Sequence, residues 1–421
     1  MRADAVVVGA GPAGAATAIL LAREGLSVAL LDRARFPRDK ICGEYLSPEG
    51  SRILDRLGVL ARVEANGARP LRGMRILGPD GTQLVGDYPP DGARPIAGAR
   101  ALAVRRRILD AALVERAREV GISVREGMRV IDLLREGTRI TGVVAEPVGL
   151  ERRTTAAERF SAPLVVAADG RTSVIAERLG LRRPHPWLHR LALVADIEGA
   201  SGDPERGEIV LAPPAYSILN PVGAGVGNLS LVIPIEEARR HKADLAGHFD
   251  RVTRELPGFR ERLRNARRTG PVRALGPLGY RVAPPRVDGV LLTGDAAGFL
   301  DPFTGEGIYA ALRSAEVTAE VGARAVKAGD VSAAALQSSH ARRATEFAAK
   351  TRLTVILQRV IARRALSVAV TRLLAARPGH LARLMGVLGD FVPARALLEP
   401  RFLAALLPRP RFRLVRSPEI R

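Results

Sequence analysis

The stretch VVVGAGPAG at residues 6–14 decides the fold of this chain. It is an apolar strand that runs into the spacing Gly9-x-Gly11-x-x-Gly14 and then into a helix, predicted over residues 15–23. The first glycine allows a tight turn, the second lets the backbone approach a pyrophosphate, and the third allows close packing of helix on strand. Because the helix N-terminus carries partial positive charge, the stretch predicts a dinucleotide site.

A second strand, predicted over residues 27–31, ends in Asp32, which Arg33 follows. A carboxylate at this place accepts hydrogen bonds from the ribose of a bound dinucleotide. In a chain with 42 glycines, a lone Gly-x-Gly-x-x-Gly would be a weak signal. The strand, the helix and the acidic residue in register make it specific.

The stretch TGDAAGFLDPFTGEGIYAAL at residues 293–312 specifies the cofactor further. Gly294 and Asp295 follow an apolar strand, and Pro302 with a Gly-Glu-Gly triplet at residues 305–307 precedes a helix. The carboxylate can bind the ribityl hydroxyls of a flavin, and free amides at the helix start can stabilise negative charge on the reduced ring. Together with the first stretch, this predicts the two ends of one bound FAD.

Asp169-Gly170 ends a continuous apolar run at residues 164–168, which predicts a central parallel strand, and a helix starts at Thr172 or Ser173. Taken alone, this turn is also compatible with a plain strand-to-helix connection. There is no second Gly-x-Gly-x-x-Gly, so NAD(P)H as electron donor would bind transiently, if at all, over this turn.

Composition limits the remaining classes. A chain of 421 residues that is 47% hydrophobic can bury a large core and predicts two joined domains with an extension. Its one cysteine, Cys42, excludes an internal disulfide and a four-cysteine cluster within the chain, and we expect no metal site. We also predict no transmembrane helix and a cytoplasmic location.

The net charge of +21 has two interpretations. One is attraction to nucleic acid, anionic lipid or an acidic carrier protein, and the other is arginine enrichment from a biased genome. Aromatic residues make up only 4% of the chain, and no basic stripe is interleaved with stacking residues, which argues against nucleic acid.

The order of elements predicts an α/β fold: a discontinuous Rossmann-type FAD-binding domain, an inserted antiparallel-sheet substrate domain and a C-terminal helical extension. A strand at residues 102–104 is expected to return to the Rossmann pattern, and residues 130–146 form a hairpin with Gly137 at its turn. The predicted ranges are 1–69, 100–182 and 285–330 for the FAD-binding domain, 70–99 and 183–284 for the substrate-cavity sheet, and 331–421 for the extension.

Further stretches accompany the glycine fingerprint: FPRDKICGE at residues 36–44, Arg106-x-x-Leu109-Asp110, Asp169-Gly170, Gly-Asp-Ala-Ala-Gly at residues 294–298, and Pro302-x-x-Gly305-Glu306-Gly307-Ile308. Through these stretches, over roughly residues 1–330, the chain resembles the geranylgeranyl reductase branch of the FAD-dependent aromatic-hydroxylase superfamily, which also includes FixC-like dehydrogenases and flavin halogenases. The aromatic hydroxylases usually carry His after Gly-Asp-Ala-Ala, where this chain has Gly298, and this favours the reductase branch.

The resemblance implies that Arg106 contacts the FAD pyrophosphate and Asp295 the ribityl chain. It places Cys42, Gly43 and Glu44 beside the isoalloxazine, facing the substrate. Cys42 and Glu44 are the candidate catalytic residues, although Cys42 can donate a proton, shape the cavity or simply fill space. The full predicted cofactor set is Gly9, Gly11, Pro12, Ala13, Gly14, Asp32, Arg33, Cys42, Gly43, Arg106, Asp169, Gly170, Gly294, Asp295, Pro302, Gly305, Glu306, Gly307 and Ile308.

One segment departs from the family. Reductases of this branch often show Tyr-x-Trp-x-Phe-Pro in the cavity sheet, where this chain has Tyr216, Asn220 and Pro221 but neither large ring. We expect these three residues to face the substrate, which need not be the prenyl lipid of the namesake enzymes. The halogenase Trp-x-Trp-x-Ile-Pro is absent and the one tryptophan is Trp187, so halogenation is not expected.

A flavin in such a cavity allows three functions. The first is reduction or dehydrogenation of carbon–carbon double bonds in an apolar, isoprenoid or lipid-like substrate, by hydride transfer at flavin N5. The second is oxygen-dependent hydroxylation of an aromatic or polyketide-like substrate. The third is a flavoprotein without turnover, acting as a scaffold or electron carrier.

The tail from residue 352 to residue 416 is apolar and basic, and its pattern predicts helix. Arg352, Arg359 and Arg363 fall on one helical face, and further arginines surround leucines between residues 395 and 416. One interpretation is a helical cap over the cavity with its arginines in water. The other is that the tail makes peripheral contact with the anionic inner face of the membrane. The oligomeric state is open.

Overall fold

The computed structural model describes residues 1–88, 100–149, 157–305 and 307–399. Glu306 and the arginines and leucines beyond residue 399 therefore lie outside the described residues. No helix in the described ranges is long and apolar enough to cross a membrane.

The described strands, in chain order, are β1 Ala5–Val8, β2 Val28–Asp32, β3 Tyr45–Leu46, β4 Arg69–Leu71, β5 Gly73–Leu77, β6 Gln83–Asp87, β7 Ala101–Ala103, β8 Ser123–Glu126, β9 Met128–Glu136, β10 Arg139–Pro147, β11 Glu158–Ser161, β12 Leu164–Ala167, β13 Arg182–Pro184, β14 Arg190–Glu198, β15 Arg206–Ala212, β16 Ala215–Gly223, β17 Val226–Pro234, β18 Arg267–Arg268, β19 Arg273–Leu278, β20 Tyr280–Val282, β21 Val290–Leu292 and β22 Gly298–Phe299. The described helices are α1 Pro12–Arg23, α2 Pro48–Leu57, α3 Leu60–Ala65, α4 Arg106–Glu119, α5 Val174–Arg178, α6 Ile235–Arg240, α7 Leu245–Glu255, α8 Gly307–Lys327, α9 Ala333–Ile361, α10 Arg364–Ala375 and α11 Pro378–Leu388.

The first layer is a five-stranded parallel sheet in the order β21-β12-β1-β2-β8. Successive side chains along each strand point into two different apolar cores, because other elements cover both faces of the sheet. Val7 packs with α1, α4 and α8 on one face, and Val6 packs with the β9-β10-β11 sheet on the other. The Rossmann-type prediction is thus confirmed, including the apolar run at residues 164–168 as an interior strand.

Two of the fingerprint glycines are required by close backbone contacts. Gly9 has φ +98°, and a Cβ there would lie 2.4 Å from the carbonyl oxygen of Ala168. A Cβ on Gly14 would lie 1.8 Å from the carbonyl oxygen of Gly9, so α1 can pack on β1 only without a side chain at this position.

The second layer is an eight-stranded sheet that follows the order β18-β14-β17-β16-β15-β5-β6, with β19 also paired to β14. The prediction of an antiparallel sheet is correct for all but one of its pairs. The exception is β5, which lies parallel to β15 with Gly73 opposite Arg206. β5 and β6 pair as an antiparallel hairpin. Between β6 and β15 the chain passes through the parallel sheet, and parallel strands such as β5 and β15 need a long connection of this kind.

The strand predicted at residues 102–104 is present as β7, but its predicted position in the Rossmann sheet is wrong. β7 pairs antiparallel with β3 and β4 in a small sheet and does not join the parallel sheet. The edge next to β2 is occupied instead by β8. The hairpin prediction is confirmed, since β9 and β10 pair antiparallel and Gly137 has φ +60° in their turn.

The C-terminal helices cover the second sheet. Ile361 of α9, Leu374 of α10 and Met385 of α11 belong to the apolar cluster that also contains Ile209 and Val232 of the sheet. The described part of the extension is therefore a helical cap, and its apolar side faces the protein.

Candidate functional site

A single continuous cavity of about 670 Å³ runs from the carboxyl ends of the parallel strands to the inner face of the eight-stranded sheet. One end is lined by charged residues and glycines, and the other by apolar side chains. This is the crevice in which doubly wound folds bind dinucleotides, and its volume is within the ordinary range for ligand sites.

Two guanidinium groups converge on the turn after β1. A Cβ at Gly11 would lie 3.7 Å from an Nη2 atom of both Arg106 and Arg38. Arg106 is held by Asp110, to whose carboxylate it donates two hydrogen bonds of 2.9 and 2.8 Å, and Arg38 lies 3.1 Å from the same carboxylate. Asp110 therefore aims two cations at the backbone site that the fingerprint predicts for a pyrophosphate.

Arg38 was not among the predicted site residues, although it lies in the FPRDKICGE stretch. Nothing in its spacing distinguishes it from the other arginines of the chain. What marks Arg38 as a site residue is its ion pair with Asp110, which only the structure shows. Asp110 is fully buried and holds the guanidinium groups of Arg38 and Arg106 in fixed positions.

Asp32 lines the cavity at the end of β2, together with Arg33. Its carboxylate accepts hydrogen bonds from the amides of Ala10 and Ala34, at 2.7 and 2.8 Å. These bonds fix the carboxylate beside the glycine turn, where the prediction placed it.

Two carboxylates line the cavity at the ends of the neighbouring strands. Asp169 accepts a hydrogen bond of 2.8 Å from the amide of Val174 through Oδ2, while its buried Oδ1 has no partner among the described residues. Burial raises the pKa of Asp295, against the opposing charges of Lys40 and Arg106. An orphaned buried oxygen, a second desolvated carboxylate and the two guanidinium groups make a donor and acceptor set that fits the hydroxyls and phosphates of FAD.

Two predicted residues among those described support the cavity without lining it. A Cβ on Gly294, where φ is +57°, would lie 2.6 Å from the Cβ of Ala13, so this glycine, like Gly14, allows close packing behind the wall. Among the described residues, the predicted cofactor residues that do line the cavity are Gly9, Gly11, Pro12, Ala13, Asp32, Arg33, Cys42, Gly43, Arg106, Asp169, Gly170, Asp295, Pro302, Gly305, Gly307 and Ile308.

The loop at Cys42, Gly43 and Glu44 is held by two asparagines that face each other across β16 and β17. Asn220 donates a 2.7 Å hydrogen bond to the carbonyl of Gly43, and Asn228 donates one of 3.1 Å to the carbonyl of Cys42. The sheet thus fixes the loop against the middle of the cavity. Asn228 was not predicted, because its only sequence signal is a polar residue in an apolar strand.

Glu44 is a buried carboxyl with a left-handed backbone, φ +56°. The amide of Arg106 donates to its Oε1 at 3.2 Å, and Asn228 donates to Oε2 at 3.4 Å. Burial raises the pKa of Glu44 to about 7, and burial also raises the pKa of the Cys42 thiol. Both groups line the cavity and can hold a proton at neutral pH.

The substrate end corrects two of the three cavity predictions. Asn220 lines the cavity, but the wall as described includes neither Tyr216 nor Pro221. The ring of Tyr216 is covered by Phe303, with centroids 5.0 Å apart, and its hydroxyl donates a 2.6 Å hydrogen bond to Asp301. Pro221 follows Asn220 in β16 and therefore points to the opposite side of the sheet.

Apolar side chains from several strands and from the helical cap form most of this end. They were not predicted, because any apolar strand residue gives the same sequence signal. They are Met74, Ala192, Val194, Ile209, Ile218, Val232, Leu275, Leu278, Phe299, Phe303 and Leu388.

Comparisons with known proteins agree with this site. Residues 2–352 match the family model described as FAD binding domain. The chain is 32% identical to digeranylgeranylglycerophospholipid reductase 2 of Methanothermobacter thermautotrophicus over 349 residues, covering 79% of this chain and 80% of that protein. It is 29% identical to menaquinone reductase of Mycolicibacterium smegmatis, over 76% of each chain.

A solved flavoprotein/dehydrogenase from Cytophaga hutchinsonii has the same fold, with a TM-score of 0.81, 21% identity and coverage of 93% of each chain. The predicted resemblance is thereby confirmed, and so is FAD as the cofactor. This chain belongs to the FAD binding domain family and, within it, to the geranylgeranyl reductase group of FAD-dependent oxidoreductases.

Proposed function

We propose that the protein reduces carbon–carbon double bonds in an apolar, isoprenoid lipid substrate. The observation that carries this proposal is the substrate end of the cavity, where aliphatic and aromatic side chains from the sheet and from the helical cap surround the space beyond Cys42 and Glu44. Such a wall stabilises a hydrocarbon chain by burial, at about 25 cal/mol per Å² of apolar surface.

The two relatives described above support the substrate class. Their names give a digeranylgeranyl lipid and menaquinone as the molecules they reduce. The wall of this cavity also suits a substrate ring, because Ile218 and Asn220 leave space where the branch often has tryptophan and phenylalanine. We therefore propose a substrate that joins an isoprenoid chain to a compact polar or ring-shaped head.

FAD, when bound, supplies two-electron hydride chemistry. Reduction of a double bond also needs a proton, and Glu44 can hold one at the edge of the cavity because burial raises its pKa to about 7. Its contact with the amide of Arg106 fixes Oε1, while Asn228 approaches Oε2. In this proposal Glu44 gives the proton and Cys42, whose Sγ accepts a 3.3 Å hydrogen bond from the amide of Glu44, keeps the loop in shape.

The proposal is tested with the FAD-loaded enzyme, reduced by dithionite and mixed with menaquinone or a geranylgeranyl lipid under nitrogen and under air. Once any quinol has been reoxidised to the quinone, mass spectrometry of the product is expected to show two added hydrogens per turnover in the isoprenoid chain in both atmospheres. A product that contains oxygen and forms only in air would identify a monooxygenase and refute the reductase. Reoxidation of the flavin with no new product from either lipid would favour a carrier without turnover.

We also propose that the substrate arrives from an anionic membrane surface. Arg352, Ile356, Arg359 and Arg363 are exposed on one face of α9 and the residues after it, and Ile356 is 44% exposed. The guanidinium of Arg359 lies 5.6 Å from the ring centroid of Trp187, itself 43% exposed. Each cation near such a surface contributes about 1 kcal/mol, so this face suffices for binding that weakens with salt.

Sedimentation with phosphatidylserine vesicles tests this contact. The wild type is expected to sediment at low salt, and a variant with glutamine at positions 352, 359 and 363 is expected to stay in the supernatant. A variant with glutamine at three exposed arginines of the β9-β10-β11 sheet, 135, 139 and 159, is the control for net charge. Equal sedimentation of both variants would show that this face makes no specific contact.

A further inference from the structure

Three polar side chains cross the inner face of the eight-stranded sheet in a row. Asp196 of β14 lies opposite Asn228 of β17, and Asn228 lies opposite Asn220 of β16. Residues directly opposite each other on neighbouring strands point to the same face, and Asn220 lines the cavity on that face. We call Asp196, Asn228 and Asn220 the polar row.

Each member of the polar row has a buried oxygen atom that receives no hydrogen bond. The Oδ1 atoms of Asp196, Asn220 and Asn228 have no partner among the described residues. Both asparagine nitrogens donate to backbone carbonyls, which only accept, so the atoms left over are acceptors. Buried polar atoms are ordinarily satisfied by protein groups or by ordered water, and one water molecule can donate to two acceptors.

The spacing of the polar row fits single water molecules. Neighbouring strands lie about 4.7 to 4.9 Å apart, and two hydrogen bonds of about 2.8 Å that meet at one water molecule span a gap of this size. One water can therefore bridge the Oδ1 atoms of Asp196 and Asn228, and another those of Asn228 and Asn220.

The polar row leads from solvent to the cavity wall. At one end, Oδ2 of Asp196 lies 3.5 Å from Nη1 of Arg105, and the two side chains are 23% and 29% exposed. In the middle, Asn228 is 1% exposed. At the other end, Asn220 lines the cavity, whereas the wall as described includes neither Asp196 nor Arg105. Water molecules along the row therefore form a path that starts outside the cavity and ends in its wall.

Glu44 meets the polar row at its centre. Its Oε2 accepts the 3.4 Å hydrogen bond from Asn228, the residue whose own Oδ1 lacks a donor. A water molecule bound at Asn228 is therefore next to the Glu44 carboxyl. Glu44 also lines the cavity, so this carboxyl is placed between the substrate and the row.

The charged groups around Glu44 include the solvent end of the row. Burial raises the pKa of Glu44 most, and the negative charge of Asp196 raises it further. The amide of Arg106 and the guanidinium groups of Arg105 and Arg273 act in the opposite direction. Arg273 belongs to β19, which pairs with the strand of Asp196. The protonation of Glu44 is therefore coupled to the charge of Asp196.

We propose that the polar row, with water molecules between its members, returns a proton from solvent to Glu44 after each turnover. Asp196 is the positioning residue at the solvent end of this path. The proposal rests on the proposed function, in which reduced FAD supplies a hydride to one carbon of a double bond and Glu44 gives a proton to the other. The π bond is lost, the flavin is oxidised by two electrons, and Glu44 is left as a carboxylate.

A path behind the wall suits this cavity. During turnover FAD and the lipid occupy the space in front of Glu44, so water reaches its carboxyl least readily from that side. The polar row approaches Glu44 from another side and ends at the surface. Glu44 can therefore take one proton from water for each double bond reduced, before the product leaves.

Asp196→Asn tests the path, because it removes the acid at the solvent end and keeps the size of the side chain. The FAD-loaded enzyme is mixed with a geranylgeranyl lipid under nitrogen, below pH 7, with enough dithionite to keep the flavin reduced. The first turnover uses the proton already on Glu44, so mass spectrometry of quenched samples should show a burst of product equal to the enzyme concentration. Later turnovers should slow about tenfold, compared with the roughly hundredfold or greater loss expected for a direct proton donor.

Two further variants separate this role from a structural one. Asp196→Glu keeps a carboxylate and should restore most of the later rate. Asp132→Asn is the matched control, because Asp132 also lies on a strand, 3.6 Å from Arg178, but belongs to the β9-β10-β11 sheet. It should behave as the wild type. If Asp196→Asn slows the first and the later turnovers equally, or slows neither, the proposed path is wrong.

A crystal structure of the FAD-loaded enzyme, at a resolution that shows ordered water, tests the path without turnover. We expect a water molecule within hydrogen-bond distance of the Oδ1 atoms of both Asp196 and Asn228. A row without water between these atoms would overturn the path.

The proposed function can fail separately. If the wild type reduces no lipid but the crystal structure shows water along the row, the row stands as a path between solvent and Glu44 and the reductase is wrong. If the wild type reduces the lipid and Asp196→Asn matches it in every turnover, the reductase stands and the path is wrong.

Discussion

Replacement of Glu44 by glutamine should change how the stability of the protein depends on pH. Burial raises the pKa of Glu44 from 4.5 to about 7. Glutamine keeps the size of the side chain and an acceptor for the amide of Arg106. Its amide can donate to Asn228, whose Oδ1 is buried without a partner in the described residues. The Glu44→Gln variant should therefore fold, and it should differ from the wild type mainly in having no titratable group at this position.

The sign follows from the direction of the pKa change. Below pH 4.5 the carboxyl of Glu44 is protonated in both the folded and the unfolded chain. Between pH 4.5 and 7 the unfolded chain releases this proton and the folded chain keeps it, so wild-type stability falls relative to the variant. The difference between the two pKa values corresponds to about 3 kcal/mol at pH 8.

This energy converts to a measurable shift in melting temperature. An unfolding entropy of about 2.1 cal/mol/K per residue gives about 0.9 kcal/mol/K for 421 residues. The melting temperature of Glu44→Gln, relative to wild type, should therefore rise by about 3 °C between pH 4.5 and pH 8. Differential scanning fluorimetry of the FAD-loaded proteins at several pH values measures it.

Glu261→Gln is the matched control, because the Glu261 side chain is 86% exposed. The difference in melting temperature between this variant and the wild type should not change with pH. Parallel curves for wild type and Glu44→Gln across this range would refute the assigned burial and titration of Glu44. If Glu44 also gives the proton, single-turnover lipid reduction by the wild type should slow above pH 7, while the variant is slow throughout.

Four further substitutions test the site. Gly11→Val should leave a protein with most of its FAD lost, measured by absorbance, because the side chain would fill the space before Arg106 and Arg38. Asp295→Ala should lower FAD content as well through lost ribityl hydrogen bonds, and yellow protein with full flavin in both variants would contradict the cofactor site. Asn220→Ala removes the 2.7 Å bond to the loop and should cost about 1 kcal/mol in unfolding free energy and slow lipid reduction at constant FAD content. Cys42→Ser should leave dithionite reduction unchanged; if it also leaves lipid reduction unchanged, this thiol only packs.

The sequence by itself determined the cofactor and the layer that holds it. A Cβ at Gly14 would collide with the backbone of Gly9 in the same turn, and a Cβ at Gly9 would collide with the backbone that follows the neighbouring strand. Contacts this close to backbone atoms leave no room for any side chain at either position. Asp32 and Asp295 follow apolar strands whose carboxyl ends must meet at one edge of a parallel sheet. Local backbone geometry therefore made this half of the site readable as a pattern.

Only the tertiary structure decided the other half. Asn220 and Asn228 hold a loop that lies 177 and 186 residues earlier in the chain, and no local pattern indicates this pairing. Tyr216 was predicted in the cavity and is instead covered by Phe303, because its depth depends on a segment far along the chain.

The cations around Tyr280 show the same limit. Among 65 lysines and arginines, the sequence does not distinguish those that have acidic partners from those that do not. Arg171, Arg182 and Arg343 come from three separate elements and meet only around Tyr280. Charge pairing is a property of distances between side chains, and those distances exist only once the parallel sheet, the eight-stranded sheet and the helical cap have packed together.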